Sequence, residues 1–175
     1  MKSVKVFAPA TVANVACGFD VLGFAVDAPG DVVTMKMVEK NGTKITGITG
    51  DDGRLPVQPE KNTAGVAVNA FLEHLHLQQG VEIFVEKNLP LGSGMGSSAA
   101  SSAAAVVAIN ELFNNPLLRE QLVPFAMEAE RIACGAAHAD NVAPAIMGGF
   151  VLVRSYAPLD IVRIPSPKNL YCTII

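Results

Sequence analysis

The chain has no tryptophan, only two tyrosines and little charge: 13 Lys and Arg stand against 16 Asp and Glu, a net of −3. That balance offers no general attraction to nucleic acid or to an anionic membrane surface. No apolar run approaches the roughly 20 residues that a bilayer-spanning helix needs. The opening MKSVKVFAPA is too short and too strand-like for a signal peptide. Cysteine is scarce: Cys17, Cys134 and Cys172 are odd in number and lack metal spacing. They are expected to be buried free thiols in a reducing, cytoplasmic setting. Internal repeats and low-complexity linkers are also missing. What is present is apolar: half of the 175 residues are hydrophobic, enough for one core.

Alternation of Val4, Val6 and Ala8 predicts a first strand before Pro9, followed by a loop through Gly18. A second strand is expected over 21–26, ended by Pro29-Gly30. Segments 31–39 and 43–48 flank Asn41-Gly42, a hairpin signal. Asn62 is a natural N-cap for a helix to about Gln78, with Ala64, Ala67, Val68, Phe71, Leu72 and Leu75 at helical spacing. A strand over 81–85 then enters a glycine-rich loop. Helices are expected over 97–113 and 118–134, a loop over 135–145, and a strand over 149–156. Strands mixed with helices in this order predict an α+β fold, a mixed or antiparallel sheet packed with helices. The end, 170–175, reads as a strand cut short, which suggests the front portion of something longer.

Most functional information lies in Pro90-Leu91-Gly92-Ser93-Gly94-Met95-Gly96-Ser97-Ser98-Ala99-Ala100. Alternate glycines permit backbone angles closed to other residues and let a ligand approach closely. Ser97 then opens a helix, whose free N–H groups and partial positive charge favour a phosphate. Serine hydroxyls there can also bond a phosphate or complete a Mg²⁺ shell. The plainer reading is a flexible turn with a serine cap. Against it stands the helix over 99–108, built of small residues that suit close packing on a sheet and a nucleotide. The Gly-Lys-Ser/Thr ending of a Walker A loop is absent.

On the helix over 118–134, Leu122, Ala126, Ala129 and Ala133 form the buried stripe. Glu130 falls at its edge, while Glu128 and Arg131 face the other way. An inward carboxylate requires a cation or a partner, so Glu130 is either a Mg²⁺ ligand or half of a salt bridge. His138-Ala139-Asp140-Asn141, with Pro144 and Gly148-Gly149 behind it, concentrates polar groups in one loop and suits binding. Asn14 and Asp20, flanking Cys17-Gly18-Phe19, form another polar loop.

In this order the three segments resemble the GHMP kinases. Residues 90–100 match that family's central ATP-binding motif. Ala8-Pro9-Ala10-Thr11, Ala13-Asn14, Gly18-Phe19-Asp20, Leu22-Gly23 and the run from His138 to Pro144 most resemble the branch acting on L-homoserine. The resemblance covers nearly the whole chain but about half of a family member. It implies an N-terminal domain of ribosomal S5 domain 2-like fold over 1–165, with 166–175 beginning a second, ferredoxin-like domain. It also implies ATP and Mg²⁺ as cofactors, L-homoserine as substrate, and a possible homodimer at full length. The reaction would be transfer of the γ-phosphoryl group of ATP to the homoserine hydroxyl, giving O-phospho-L-homoserine for threonine synthesis. Residues 90–100 would bind ATP, Ser98 and Glu130 the metal, and Asn14, Asp20, His138 and Asn141 the amino acid. Asn62 and Thr63 would approach the adenine. Where several relatives carry an aspartate base, this chain has Asn141, whose amide cannot take a proton at neutral pH. Asn141 is therefore expected to orient the hydroxyl, with no side chain acting as base. The alternatives are a kinase of the family with another small substrate, or a nucleotide-binding module without turnover.

Overall fold

The computed structural model describes residues 2–166 and 169–173, without the side chains of Ala133 and Cys134. Six strands form one sheet: β1 (Ser3–Val15), β2 (Gly18–Val38), β3 (Thr43–Thr49), β4 (Gly80–Glu86), β5 (Phe150–Tyr156) and β6 (Leu159–Ile164). Its order is β3-β4-β2-β5-β6, with β1 paired to β2. Helices α1 (Thr63–His74), α2 (Ser97–Leu112), α3 (Arg119–Cys134) and α4 (Ala139–Met147) complete the fold. The fold is thus α+β, as expected.

Strands β1 and β2 are much longer than expected. They meet at a tight turn over Ala16-Cys17, with Val15 paired to Gly18. Pro29-Gly30 does not end β2. Pairing with β1 resumes past it at Pro9–Gly30, at the cost of a register shift between Pro9 and Thr11. The expected hairpin around Asn41-Gly42 is absent. Both edges of this part of β2 are taken, by β1 (Val33 to Val6) and by β4 (Val33 to Val85). The turn instead carries β3 to the far side of β4, where Ile45 pairs in parallel with Ile83.

Side-chain alternation gives the sheet one buried face, formed by Ala8, Ala10, Val33, Met35, Val81, Ile83 and Val85. Helix α2 packs on it and touches β1, β2, α1, α3 and α4. Its residues from Ala99 to Val106 are all buried. Small side chains let a helix backbone approach a sheet closely, and alanine is the best helix former. The other sheet face carries Lys5, paired with Glu86 at 2.8 Å.

Three more expectations need correction. Much of the supposed loop over 135–145 is α4, with Pro144 inside it. Proline supplies no N–H to the carbonyl four residues back; that carbonyl, of Asp140, lies where a side chain on Gly23 would meet it at 1.8 Å. Residues 171–173 are not a strand, and Ile174-Ile175 lie outside the described residues. Cys17 and Cys172 are free but exposed. Cys17 sits on the turn between β1 and β2, where no core reaches it. The side chains of Cys134 and of Ala133 lie outside the described residues. Strand β6, not foreseen, pairs with β5.

Candidate functional site

A cavity of about 580 Å³ opens above the start of α2, lined by the glycine-rich loop and by residues of α1, α3 and α4. The loop takes its form from three glycines in the left-handed region, Gly92 (φ 73°), Gly94 (φ 74°) and Gly96 (φ 65°). A Cβ on Gly92 or Gly94 would meet nothing within 4 Å, so their surroundings are open. Gly96 is the reverse: its Cβ would stand 2.1 Å from Thr11 Oγ1 and 3.0 Å from Asn141 Oδ1. Only glycine brings the loop so close to β1 and α4. The Thr11 N–H also donates to the Met95 carbonyl at 3.1 Å.

Gly96 is the N-cap of α2, with no side-chain capping bond and no acidic residue in the first turn. No carboxylate of α2 itself stands over the first-turn N–H groups, and Ser97 and Ser98 line the cavity beside them. Such an end attracts an anion. Of the motif expected to bind ATP, Leu91, Gly92, Ser93, Gly94, Gly96, Ser97 and Ser98 line the cavity. Pro90 and Met95 do not, and Ala99 and Ala100 are wholly buried in the core.

Beneath the loop lies a buried charged group that sequence reasoning missed. The Lys87 ammonium donates to the carboxylate of Asp31, to the Ser97 carbonyl at 2.7 Å and to Ser101 Oγ at 2.9 Å. Asp31 also accepts from the Asn88 N–H at 2.9 Å and the Leu89 N–H at 3.1 Å. Lys87 thus ties the end of β4 to the first residue of α2. Burial pulls the lysine below its ordinary value, and the Asp31 charge opposes that pull. A lone lysine directly after an alternating strand was the one available signal.

At one end, Leu55, Pro56, Lys61, Asn62, Thr63 and Val85 line the cavity. Asn62 caps α1 as expected, accepting from the Ala64 N–H at 3.0 Å, and donates to the Pro56 carbonyl at 2.9 Å. Glu130 lines the same cavity, is buried and accepts from Ser98 Oγ at 3.0 Å. Glu128 and Arg131 pair with each other on the outer face. The inward reading of Glu130 is borne out.

Asn141 lines the same cavity, and its amide oxygen accepts from Thr11 Oγ1 at 2.8 Å. The other polar residues gather in a second cluster. Asp20 N–H donates to Asn14 Oδ1 at 2.8 Å, and Asp20 Oδ1 lies 3.7 Å from His138 Nδ1. Both Asn14 (φ 57°) and Asp20 (φ 58°) adopt the left-handed conformation that such side chains tolerate. Helix α4 joins the two clusters. His138 is its N-cap and Asn141 stands three residues on, so one helical turn presents both. The tyrosine Tyr156, also missed, touches this second cluster.

The chain is similar in sequence and fold to known proteins. Residues 62–149 match the GHMP kinases N terminal domain. A homoserine kinase of Chlorobium phaeobacteroides is 55% identical over 185 aligned residues, covering 100% of this chain and 58% of its own length. One from Chlorobaculum tepidum is 52% identical, with 57% of its length covered. The chain thus spans less than two thirds of these relatives. The crystal structure of homoserine kinase from Cytophaga hutchinsonii superimposes with a TM-score of 0.93 at 62% identity, over 97% of this chain and 54% of that one. A Methanococcus jannaschii mevalonate kinase shares the fold, with a TM-score of 0.72 at 14% identity. With residues 62–149 matched and the glycine-rich loop set over a buried helix start, the chain belongs to the GHMP kinases.

Proposed function

We propose that this chain is the ATP-binding part of a homoserine kinase, acting in the cytoplasm, and that residues 1–165 form its nucleotide-binding domain. One observation carries the reading: the first turn of α4 puts Asn141 into the cavity beside the glycine-rich loop and His138 against Asp20. A nucleotide site and a small polar site thereby share a wall. The 52–62% identity to homoserine kinases favours homoserine among the family's substrates.

In this reading the loop over 92–98 and the α2 N-terminus cradle the phosphates, and the Asn62 end holds the base. Ser98 Oγ and the Glu130 carboxylate, 3.0 Å apart at the cavity wall, are hard oxygen donors that fit Mg²⁺. Among the described residues no three His, Cys, Asp or Glu side chains gather as a metal site. Phosphate and water oxygens would complete the shell, as is usual for this ion. Bound there, the ion would neutralise charge on the transferred phosphoryl group. Asn14, Asp20 and His138 receive the amino acid, with Asp20 opposite the ammonium.

The bond from the γ-phosphorus to the β,γ-bridging oxygen breaks as the homoserine hydroxyl oxygen bonds to that phosphorus. Asn141 has its amide oxygen engaged by Thr11, which leaves its NH₂ to orient oxygen atoms in the cavity. No side chain acts as base. Phosphoryl transfer asks chiefly for positioning and charge neutralisation, and the hydroxyl proton leaves late, to a phosphoryl oxygen or water.

The test is coupled ADP release by the full gene product with L-homoserine, mevalonate and galactose. Turnover with homoserine alone is expected. Preference for another acceptor, or ATP binding without turnover on any of the three, overturns the reading.

A further inference from the structure

Tyr156, the last residue of β5, bridges the two segments that make up the smaller cluster. Its hydroxyl donates to the Asp20 carbonyl at 2.6 Å and accepts from the Ala139 N–H at 3.3 Å. A phenol has one proton to give and lone pairs to receive, so both bonds hold together.

Each bond fixes something the substrate site needs. The N-cap of α4, His138, makes no side-chain capping bond. Tyr156 supplies from a distant strand an acceptor for the N–H of Ala139, the first helical residue and one of the donors that a helix start leaves without an intrahelical partner. The imidazole of His138, engaged in no cap, stands 3.7 Å from the Asp20 carboxylate. On the other side, Asp20 holds a left-handed backbone at φ 58°. Such a conformation persists where its surroundings determine it. Here Asn14 holds the N–H of Asp20 and Tyr156 holds its carbonyl.

We propose that Tyr156 is a positioning residue for the amino-acid substrate, its hydroxyl setting the spacing between Asp20 on β2 and His138 at the start of α4. This rests on the homoserine reading above. Burial raises the phenol above its ordinary value; the Ala139 N–H opposes that, while the Asp140 and Asp20 carboxylates add to it. The hydroxyl thus remains a donor throughout the neutral range.

Tyr156→Phe in the full gene product removes the oxygen and keeps the ring. KM for L-homoserine should rise roughly three- to tenfold, the worth of one hydrogen bond in positioning. KM for ATP should stay within about twofold, because the nucleotide cavity is not lined by Tyr156. A homoserine KM unchanged, or both KM values rising together, overturns the proposal. Amide hydrogen exchange without substrate gives a second readout that does not depend on the activity. Faster exchange at Ala139 and over 14–20 in the variant supports the clamp, and unchanged exchange overturns it. A wild-type protein inactive on homoserine overturns the substrate named here, and exchange still decides whether Tyr156 holds the two segments together.

Discussion

The hydroxyl of Thr11 donates to the amide oxygen of Asn141 at 2.8 Å, joining β1 to α4 under the glycine-rich loop. Thr11 is fully buried, so this bond decides which end of the carboxamide faces the cavity. Thr11→Val keeps the shape and removes the donor. It takes the donor from a half-buried acceptor, and the lost hydrogen bond costs about 1 kcal/mol. In the proposed reaction kcat should fall about tenfold, corresponding to about 1.4 kcal/mol of positioning. Thr11→Ser restores the donor and should recover most of the rate. Steady-state kinetics of the pair checks this, and equal rates in the Val and Ser variants contradict it.

The same contact separates two glycines that look alike in sequence. Alanine at Gly92 meets open space and costs only left-handed backbone strain, about 1–2 kcal/mol. Alanine at Gly96 adds a Cβ 2.1 Å from Thr11 Oγ1, an overlap that commonly costs a further 1–3 kcal/mol, roughly. Gly96→Ala should therefore lose about twice the stability of Gly92→Ala in urea denaturation, and it alone should displace Asn141. Equal losses would mean that the loop yields at Gly96 without cost.

Lys87 and Asp31 predict a larger loss. Their side chains are 1% and 0% exposed. Removing one member of a buried pair strands the other charge and costs about 3–5 kcal/mol. Lys87→Met should lose that much in denaturant titration. It should also weaken ATP binding, because the Ser97 carbonyl at the head of α2 loses its donor. A fully stable variant would show that the bonds Asp31 receives from the Asn88 and Leu89 N–H groups and from Ser101 Oγ suffice.

These relationships divide what the sequence discloses from what it hides. Helical spacing showed α1 and α3 with their inward faces, including Glu130, because one stripe of each helix must leave water; α2, buried all round from Ala99 to Val106, was marked by its small residues instead. The glycines and serines of the loop announced a left-handed turn into a helix start, because both are local facts. Lys87 and Asp31 are 56 residues apart, and Tyr156 and Asp20 are 136 apart. No local pattern reports such pairs. The hairpin error has the same origin: Asn41-Gly42 does turn the chain, but the occupancy of β2's edges is a property of the whole sheet. In α4, the internal Pro144 hid a helix behind a residue that usually ends one.

Asp140 supplies a prediction in pH. It is 2% exposed, and its Oδ1 has no hydrogen-bond partner among the described residues. Burial, the main cause, raises this carboxyl above its ordinary value; the His138 charge opposes the rise and the Asp20 charge adds to it. A group that holds its proton more tightly when folded lowers stability as pH climbs from the ordinary value, about 4, through the raised one. Above that window the cost is constant, and below it the cost is gone. Asp140→Asn removes the ionisation, so the variant should melt higher than the parent at neutral pH. Its advantage should shrink as the pH falls through the window. The same change takes a negative charge from beside Asp20 and His138, so KM for homoserine should rise in the stabilised variant. Melting curves at pH 7 and near pH 4 decide the matter: an advantage of the same size at both would show that the carboxylate's charge carries none of the cost.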